Sequence, residues 1–373
     1  MRIGLAGAGR IGARHAAALC ELPEVEALVV ADADPSRARE LAARLNARCS
    51  DGPGSGVQSL DGRRAGGPGV GHGVSHGAGG HRAEVCAVGA VPELFKAGLD
   101  GLVVAAATDA HAALVELGVR ARLPVFCEKP LAPDIDGTFQ MVRAAYLAHV
   151  PVQVGFQRRF DAGYVAAREA VLAGRLGWLH TVRSCSFDPA PPPPGYIPAS
   201  GGLFRDCVIH DLDSIRHVTG QDVAWVMAAG SNKGDVVFRE HGDVDTGAAL
   251  LGLDDGTLGV VGATRYNAAG YDVRLELFGS KDSLVAGLDD RTPVTPLPER
   301  PAGRPARTPA YGGFLERFAA AYDAELRAFV DLVAGRRANP CPPEEALEAF
   351  YLAEACEISR RERRVVHPEE VRR

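Results

Sequence analysis

A glycine-rich turn between a short apolar strand and a helix constrains the fold of this chain more than any other feature. The chain opens with MRIGLA, continues through Gly7, Gly9 and Gly12 in the pattern GxGxxG, and runs into an alanine-rich helical stretch. A second apolar strand, VEALVVAD, ends at Asp32, 20 residues after Gly12. This spacing of strand, glycine turn, helix and acidic residue is typical of a dinucleotide-binding βαβ unit.

The glycines of the turn have separate predicted tasks. Gly7 permits the tight turn, Gly9 lets the backbone approach a pyrophosphate, and Gly12 lets the helix pack closely on the strand. The free N–H groups and positive dipole at the start of the helix favour phosphate binding. The turn residues predicted to bind the cofactor are Gly7, Ala8, Gly9, Arg10, Ile11 and Gly12.

Asp32 decides which dinucleotide is expected. Its carboxylate would accept hydrogen bonds from the ribose hydroxyls and would repel a 2′-phosphate, so NAD is favoured. Arg37 lies close enough in sequence to leave NADP as the alternative.

An alternation of strands and helices continues after residue 82. We predict strands near 83–87, 101–107 and 124–127, and helices near 92–97 and 111–120, which together give a doubly wound parallel sheet. The predicted domains are a dinucleotide-binding domain over 1–130 and a second domain over 131–373. Apolar residues at helical spacing predict two C-terminal helices that pack in the core and return towards the first domain.

A glycine-rich segment over 50–82 interrupts the first domain. Loops in such folds usually have about 2–6 residues, so we interpret this segment as a disordered or mobile insertion. His72, His76 and His81 lie in it without a carboxylate among them. We therefore expect no metal site there.

A polar stripe follows a proline-rich stretch, PAPPPPG. Asp206, His210 and Asp213 stand at i, i+4 and i+7, the spacing of one helix face, whereas apolar residues such as Leu212 and Ile215 lie on the other face. Two carboxylates that flank an imidazole indicate either an ion-pair patch or an acid/base site. The proline stretch is interpreted as a stiff loop over the active site or as a ligand for a proline-binding module.

Several motifs together resemble one enzyme family. GxGxxG, the acidic residue after the second strand, and EKP at 128–130 resemble the Gfo/Idh/MocA oxidoreductases. QVGFQRRFD, GGLFRDCVIHDLD and GYDVRLELFGSKDSL are similar to the inositol 2-dehydrogenase branch of that family. The resemblance covers nearly the whole chain except 50–82. Gln157 departs from it, since an asparagine or an apolar residue is expected before the arginine pair.

The resemblance implies a fold, an activity and a set of site residues. A Rossmann domain would precede an α/β domain with an open, mostly antiparallel sheet that often mediates oligomerisation, here as a dimer or tetramer. The activity would be reversible hydride transfer between NAD and a ring secondary alcohol. By position, Lys129, Asp206 and His210 match the catalytic residues. The matching substrate contacts are Lys129, Asp206, His210, Asp213, Tyr271 and Arg159, with Arg158 as the other member of its pair. The cofactor site would also include Thr108, Glu128 and Lys129.

The residue chemistry fits that activity. An imidazole that titrates near neutrality suits His210 as the base, Asp206 could orient it one turn away, and Lys129 could donate to the developing alkoxide. Oxidation of myo-inositol to scyllo-inosose is the first hypothesis. Another inositol isomer, an aminocyclitol, an aldose, or a non-catalytic NAD-binding sensor are the alternatives.

Composition limits the classes of partner and the cellular compartment that we expect for this chain. A net charge of −6 without a basic, aromatic-rich cluster argues against nucleic acid. The eight cysteines form no CxxC pair, which favours reduced thiols and a cytoplasmic location. No signal peptide or membrane span is recognisable.

Overall fold

The computed structural model describes residues 1–50, 83–295, 297 and 308–372. The first half contains a parallel sheet of six strands in the order β3-β2-β1-β4-β5-β6. Its central strands are apolar and almost wholly buried because helices cover both faces. This confirms the predicted doubly wound sheet. The strands are β1 (Arg2–Ala6), β2 (Ala27–Ala31), β3 (Glu84–Ala87), β4 (Gly101–Val104), β5 (Val125–Glu128) and β6 (Val152–Gly155).

In the described part of the first half, five helices connect these strands. The strand order reverses between β1 and β4, and in open α/β sheets the crevice at such a reversal is where ligands bind. The GxGxxG turn lies directly at the carboxyl end of β1, at this crevice. The helices are α1 (Arg10–Cys20), α2 (Pro35–Ser50), α3 (Val91–Leu94), α4 (Thr108–Arg120) and α5 (Ile135–Ala148).

The second half contains a mixed sheet of six strands in the order β12-β11-β7-β10-β9-β8. Only the β7–β10 pair is parallel, and the other neighbours are antiparallel. This confirms the predicted mostly antiparallel sheet. The strands are β7 (Leu179–Phe187), β8 (Val223–Ser231), β9 (Thr246–Leu253), β10 (Leu258–Thr264), β11 (Asp272–Gly279) and β12 (Ser283–Ala286).

Helices and short helical turns of the second half carry several of the predicted site residues. The chain passes through a five-residue π-helical segment, Phe204–Val208, before the α-helix that carries His210 begins. A proline-containing 3₁₀ turn, Pro194–Ala199, precedes it. The helices are α6 (Ala162–Leu172), α7 (Ile209–Thr219), α8 (Val236–Glu240), α9 (Phe314–Arg317), α10 (Ala319–Val333) and α11 (Pro343–Glu362).

The two halves share elements across the predicted boundary at residue 130. Strand β6, at 152–155, completes the parallel sheet, so the first domain extends one helix and one strand further than we expected. Helix α10 packs against that sheet: Leu326 and Phe329 are fully buried in the same cluster as Ile3. The C-terminal part of the chain therefore returns to the first domain.

Some predictions concern residues that the structure does not describe. The insertion over 50–82 and its histidines lie outside the described residues from residue 51 onward. Among the described helices, none has the length and apolar character needed to cross a membrane.

Candidate active site

The glycine turn has the geometry that a pyrophosphate site requires. Gly7 has φ of +109°, and a Cβ there would lie 2.4 Å from the carbonyl oxygen of Ala105. A Cβ on Gly12 would lie 2.0 Å from the carbonyl oxygen of Gly7. A Cβ on Gly9 would meet no atom within 4 Å, so this position opens onto free space. Gly7 and Gly12 thus permit close packing, and Gly9 leaves the approach to the turn clear.

Free backbone donors and one carboxylate complete this end of the crevice. Among the described residues, no side chain caps the N-terminus of α1, so its first N–H groups are available to an anion. Asp32 is half-buried, and its Oδ2 accepts a 2.7 Å hydrogen bond from the backbone N–H of Ala8. Asp32, the residue predicted to bind the ribose, therefore lies directly beside the turn predicted to bind the phosphates.

Two further cofactor candidates lie at the ends of neighbouring strands. Thr108 is the first residue of α4, whose N-terminus also has no side-chain cap. Glu128 ends β5, and its Oε1 lies 2.6 Å from Nε2 of the buried His15 on α1. Both positions face the carboxyl edge of the parallel sheet, and their contact with a cofactor stays a prediction.

Lys129 and Asp206 meet although 77 residues separate them. Nζ of Lys129 donates to the backbone oxygen of Asp206 over 2.7 Å and to its Oδ1 over 3.1 Å. An ammonium group has three N–H donors, so one remains for a third acceptor. Lys129 stands at the end of the first sheet and Asp206 in the π-helical segment, and the pair thus joins the two halves of the molecule.

Asp206 is held as a carboxylate by two cations. Its Oδ2 accepts a 2.6 Å hydrogen bond from Arg265, and its Oδ1 also accepts from the Tyr196 hydroxyl over 3.0 Å. Burial acts to raise the pKa of Asp206, but Lys129 and Arg265 outweigh it and lower the pKa to about 2. The carboxylate is therefore ionised throughout the physiological pH range.

His210 is kept neutral by its surroundings. Burial is the largest cause that lowers its pKa well below the usual range, and the positive charges of Lys129 and Arg158 lower it further. Its ring packs edge-on against Phe156, with 5.6 Å between the ring centroids. A neutral imidazole beside a lysine can accept a proton at neutral pH.

The structure does not show the predicted orientation of His210 by Asp206. The Asp206 side chain bonds Lys129, Arg265 and Tyr196, and buried Nδ1 of His210 has no hydrogen-bond partner among the described residues. The cause is local, because the helix around Asp206 is π-helical rather than α-helical. A wider turn changes the angular spacing, so i and i+4 no longer stack as in an α-helix.

The two arginines form separate buried ion pairs, Arg159 with Asp213 and Arg158 with Asp211. Arg159 contacts Asp213 through Nε at 3.0 Å and through Nη2 at 2.5 Å, and Asp213 has no exposed surface. Arg158 donates to Asp211 over 2.9 Å. In this arrangement, a substrate hydroxyl could reach Asp213 only if the Arg159 pair opened. The substrate contacts assigned to Arg159 and Asp213 stay predictions.

Tyr271 is buried directly before β11. Only 7% of it is exposed, and it forms an isolated bridge with Tyr311. Burial raises the pKa of its phenol, which therefore stays protonated. Its contact with a substrate stays a prediction.

Sequence reasoning missed several residues of this site. Arg265 bridges Asp206 and Asp188, at 2.6 and 2.9 Å, and no local motif distinguishes it from other strand-end arginines. Tyr196 directly follows the proline stretch, for which the sequence offers a stiff loop over the active site or a ligand for a proline-binding module. Glu325 on α10 is fully buried, and neither of its carboxyl oxygens has a partner among the described residues.

The glycine turn, Asp32 and the crevice beside them fit a dinucleotide-binding Rossmann domain. A family model described as "Oxidoreductase family, NAD-binding Rossmann fold" matches residues 1–156, and the GFO/IDH/MocA C-terminal domain model matches residues 164–285. The chain belongs to the Gfo/Idh/MocA oxidoreductases.

Individual relatives agree with that membership. The chain is 35% identical to a myo-inositol dehydrogenase of Streptomyces leeuwenhoekii over 340 residues. The matched region covers 91% of this chain and 90% of the relative. Its fold matches the crystal structure of a probable dehydrogenase from Thermotoga maritima over 100% of both chains, with a TM-score of 0.82 and 32% identity.

A ligand-bound structure is also similar. The crystal structure of scyllo-inositol dehydrogenase from Lactobacillus casei contains NAD(H) and scyllo-inositol. It matches 99% of each chain with a TM-score of 0.77 and 26% identity. The free turn at Gly9 and the uncapped N-terminus of α1 fit a dinucleotide in this chain too.

Proposed function

We propose that this enzyme oxidises a secondary ring hydroxyl of a cyclitol with NAD, and that myo-inositol is its substrate and scyllo-inosose its product. One observation carries the proposal: where the NAD-binding sheet joins the second domain, Lys129 bonds the ionised Asp206, and the positive charge of Lys129 acts on the neutral His210. The myo-inositol dehydrogenase relative supports this substrate class.

The residues have distinct parts in the proposed reaction. NAD, when bound, supplies the hydride acceptor. His210 accepts the hydroxyl proton: its imidazole is unprotonated at neutral pH, although the lowered pKa makes it a weaker base than an imidazole that titrates near neutrality. The remaining N–H of Lys129 donates to the oxygen as negative charge develops on it. Asp206 holds Lys129 in place through two hydrogen bonds.

A panel assay tests the substrate and the cofactor together. NADH formation is followed by absorbance at mildly alkaline pH with NAD⁺ or NADP⁺ and myo-inositol, scyllo-inositol, chiro-inositol, aminocyclitols or glucose. We expect the fastest turnover with NAD⁺ and myo-inositol. Faster turnover of another panel member would retain the mechanism and change the substrate. If no member of the panel is oxidised but calorimetry shows that NAD still binds, the alternative of a non-catalytic NAD-binding sensor would be favoured.

An open sheet face supports a homo-oligomer. A row of paired residues crosses the second sheet on the side away from its helices, and its apolar members are 39–49% exposed. The row reads Met227, Leu250, Val260, Arg183, Glu276 and Val285. A face of this kind is a candidate interface between copies of the chain. Light scattering of the pure enzyme should give a dimer or tetramer, and a monomer would contradict this assignment. A cytoplasmic location stays a prediction.

A further inference from the structure

The phenol of Tyr196 contacts the carboxylate at the centre of the site. Its hydroxyl donates to Oδ1 of Asp206 over 3.0 Å, and this same oxygen accepts from Lys129 at 3.1 Å. Arg265 occupies the other oxygen. Tyr196 therefore shares one acceptor oxygen with the lysine that we assign to the reacting hydroxyl.

The loop that carries Tyr196 is stiff and anchored. The four prolines at 191–194 fix their own φ angles, and the 3₁₀ turn Pro194–Ala199 follows directly. Ile197 is 4% exposed and, with the prolines, lines a cleft of about 310 Å³ against α8. The loop thus holds the backbone of Tyr196 in place beside the site.

Tyr196 is nevertheless accessible. It is 46% exposed, whereas its hydroxyl turns inward to Asp206. Burial of the phenol and the charge of Asp206 raise its pKa, so the hydroxyl stays protonated. A phenol hydroxyl can both donate and accept a hydrogen bond, and this suits it to a substrate hydroxyl.

We propose that Tyr196 binds the ring hydroxyl next to the carbon that is oxidised, and so helps to select the substrate. The proposal rests on the proposed function. Neighbouring hydroxyl oxygens of a ring lie about one hydrogen-bond length apart. When Lys129 bonds the reacting oxygen, the adjacent hydroxyl can therefore reach the Tyr196 phenol. A site that bonds a hydroxyl discriminates against analogues that lack it.

Pairing one protein change with one substrate change tests this contact. Kinetics of wild type and Tyr196→Phe are compared on myo-inositol and on a deoxyinositol that lacks the hydroxyl next to the oxidised carbon. We expect Tyr196→Phe to lower kcat/KM for myo-inositol roughly tenfold, mainly through KM. On the deoxyinositol its effect should largely disappear, because the partner hydroxyl is already absent. Tyr146→Phe, a tyrosine 70% exposed on α5, is the matched control and should change neither.

Other outcomes overturn the proposal in distinguishable ways. An equal loss on both substrates, carried by kcat and accompanied by an altered pH profile, would mean that Tyr196 only positions Asp206. Unchanged kinetics of Tyr196→Phe, with an active wild type, would remove Tyr196 alone from substrate binding. If wild type neither oxidises a cyclitol nor binds one by calorimetry in the presence of NADH, both proposals fail together.

Discussion

Nζ of Lys129 lies 2.7 Å from the backbone oxygen of Asp206 and 3.1 Å from its Oδ1, and this contact joins the two halves of the enzyme. Lys129 follows a strand of the first sheet and Asp206 lies in the π-helical segment of the second half, so the pair forms only in the folded chain. Each side of the contact can be tested by itself.

Removal of the proposed acid/base groups should stop turnover and preserve cofactor binding. Lys129→Ala and His210→Ala should each lower kcat by about 10²–10⁴, the usual contribution of a positioned proton-transfer group. NAD affinity, measured by calorimetry, should stay within a few fold, because the glycine turn is untouched. Lys96→Ala, at an exposed lysine, is the control. Normal turnover in both variants would show that the catalytic residues are assigned wrongly.

The glycines of the turn should separate folding from cofactor binding. Gly12→Ala places a methyl group 2.0 Å from the Gly7 oxygen, so it should lower Tm. Gly9→Ala has free space and should retain Tm, whereas its methyl group obstructs the approach of a pyrophosphate and raises the Kd for NAD. Thermal denaturation and calorimetry of both variants check this. Unchanged NAD affinity in Gly9→Ala would place the cofactor elsewhere.

Loss of the Asp213 charge should destabilise the fold. Asp213→Asn leaves the buried Arg159 with only the half-buried Glu345, at 3.1 Å, as an anionic partner. Breaking a buried pair costs about 3 kcal/mol. Urea denaturation should show that loss in the free energy of unfolding. Full stability with a raised KM for the cyclitol would instead support the substrate contact that the sequence predicted.

The lowered pKa of His210 predicts how activity depends on pH. The imidazole is the base in its neutral form, which dominates above its pKa, so kcat/KM should remain on its plateau as the pH falls through 6.5. NMR titration of the imidazole should give a pKa below 6.5, and Lys129→Met should raise that value by removing a positive charge. An imidazole in wild type that titrates above 6.5 would contradict the assignment.

The buried carboxyl group of Glu325 should lower the free energy of unfolding at neutral pH. Burial is the main cause that raises its pKa well above the usual range, and nearby Glu128 adds to it. The unfolded chain releases this proton near pH 4.3, so the folded state loses relative stability as the pH rises above that value. Glu325→Gln should therefore stabilise the protein at pH 7 and have little effect near pH 4. Urea denaturation at both pH values checks this, and a destabilised variant at pH 7 would show that the carboxylate is ionised and bonded.

Much of the first domain was predictable because its determinants are local. The turn from Gly7 to Gly12 specifies its own backbone geometry, and continuous apolar strands specify a sheet that is buried on both faces. The limits of the domain were less predictable. Strand β6 joins the sheet through pairing with β5, a long-range contact that no motif near residue 130 announces.

In the site, the sequence by itself determined which chemical groups were available: a carboxylate, an imidazole and a lysine in recognisable motifs. Only the tertiary structure decided their partners. Asp206 meets Lys129 and Arg265 from 77 and 59 residues away, and Asp213 meets Arg159 from 54 residues away. Helical spacing suggested instead that Asp206 serves His210, and a π-helical segment removes that stacking. Sequence periodicity predicts which face of a helix or strand a side chain occupies, but hydrogen bonds between distant segments depend on how whole elements pack.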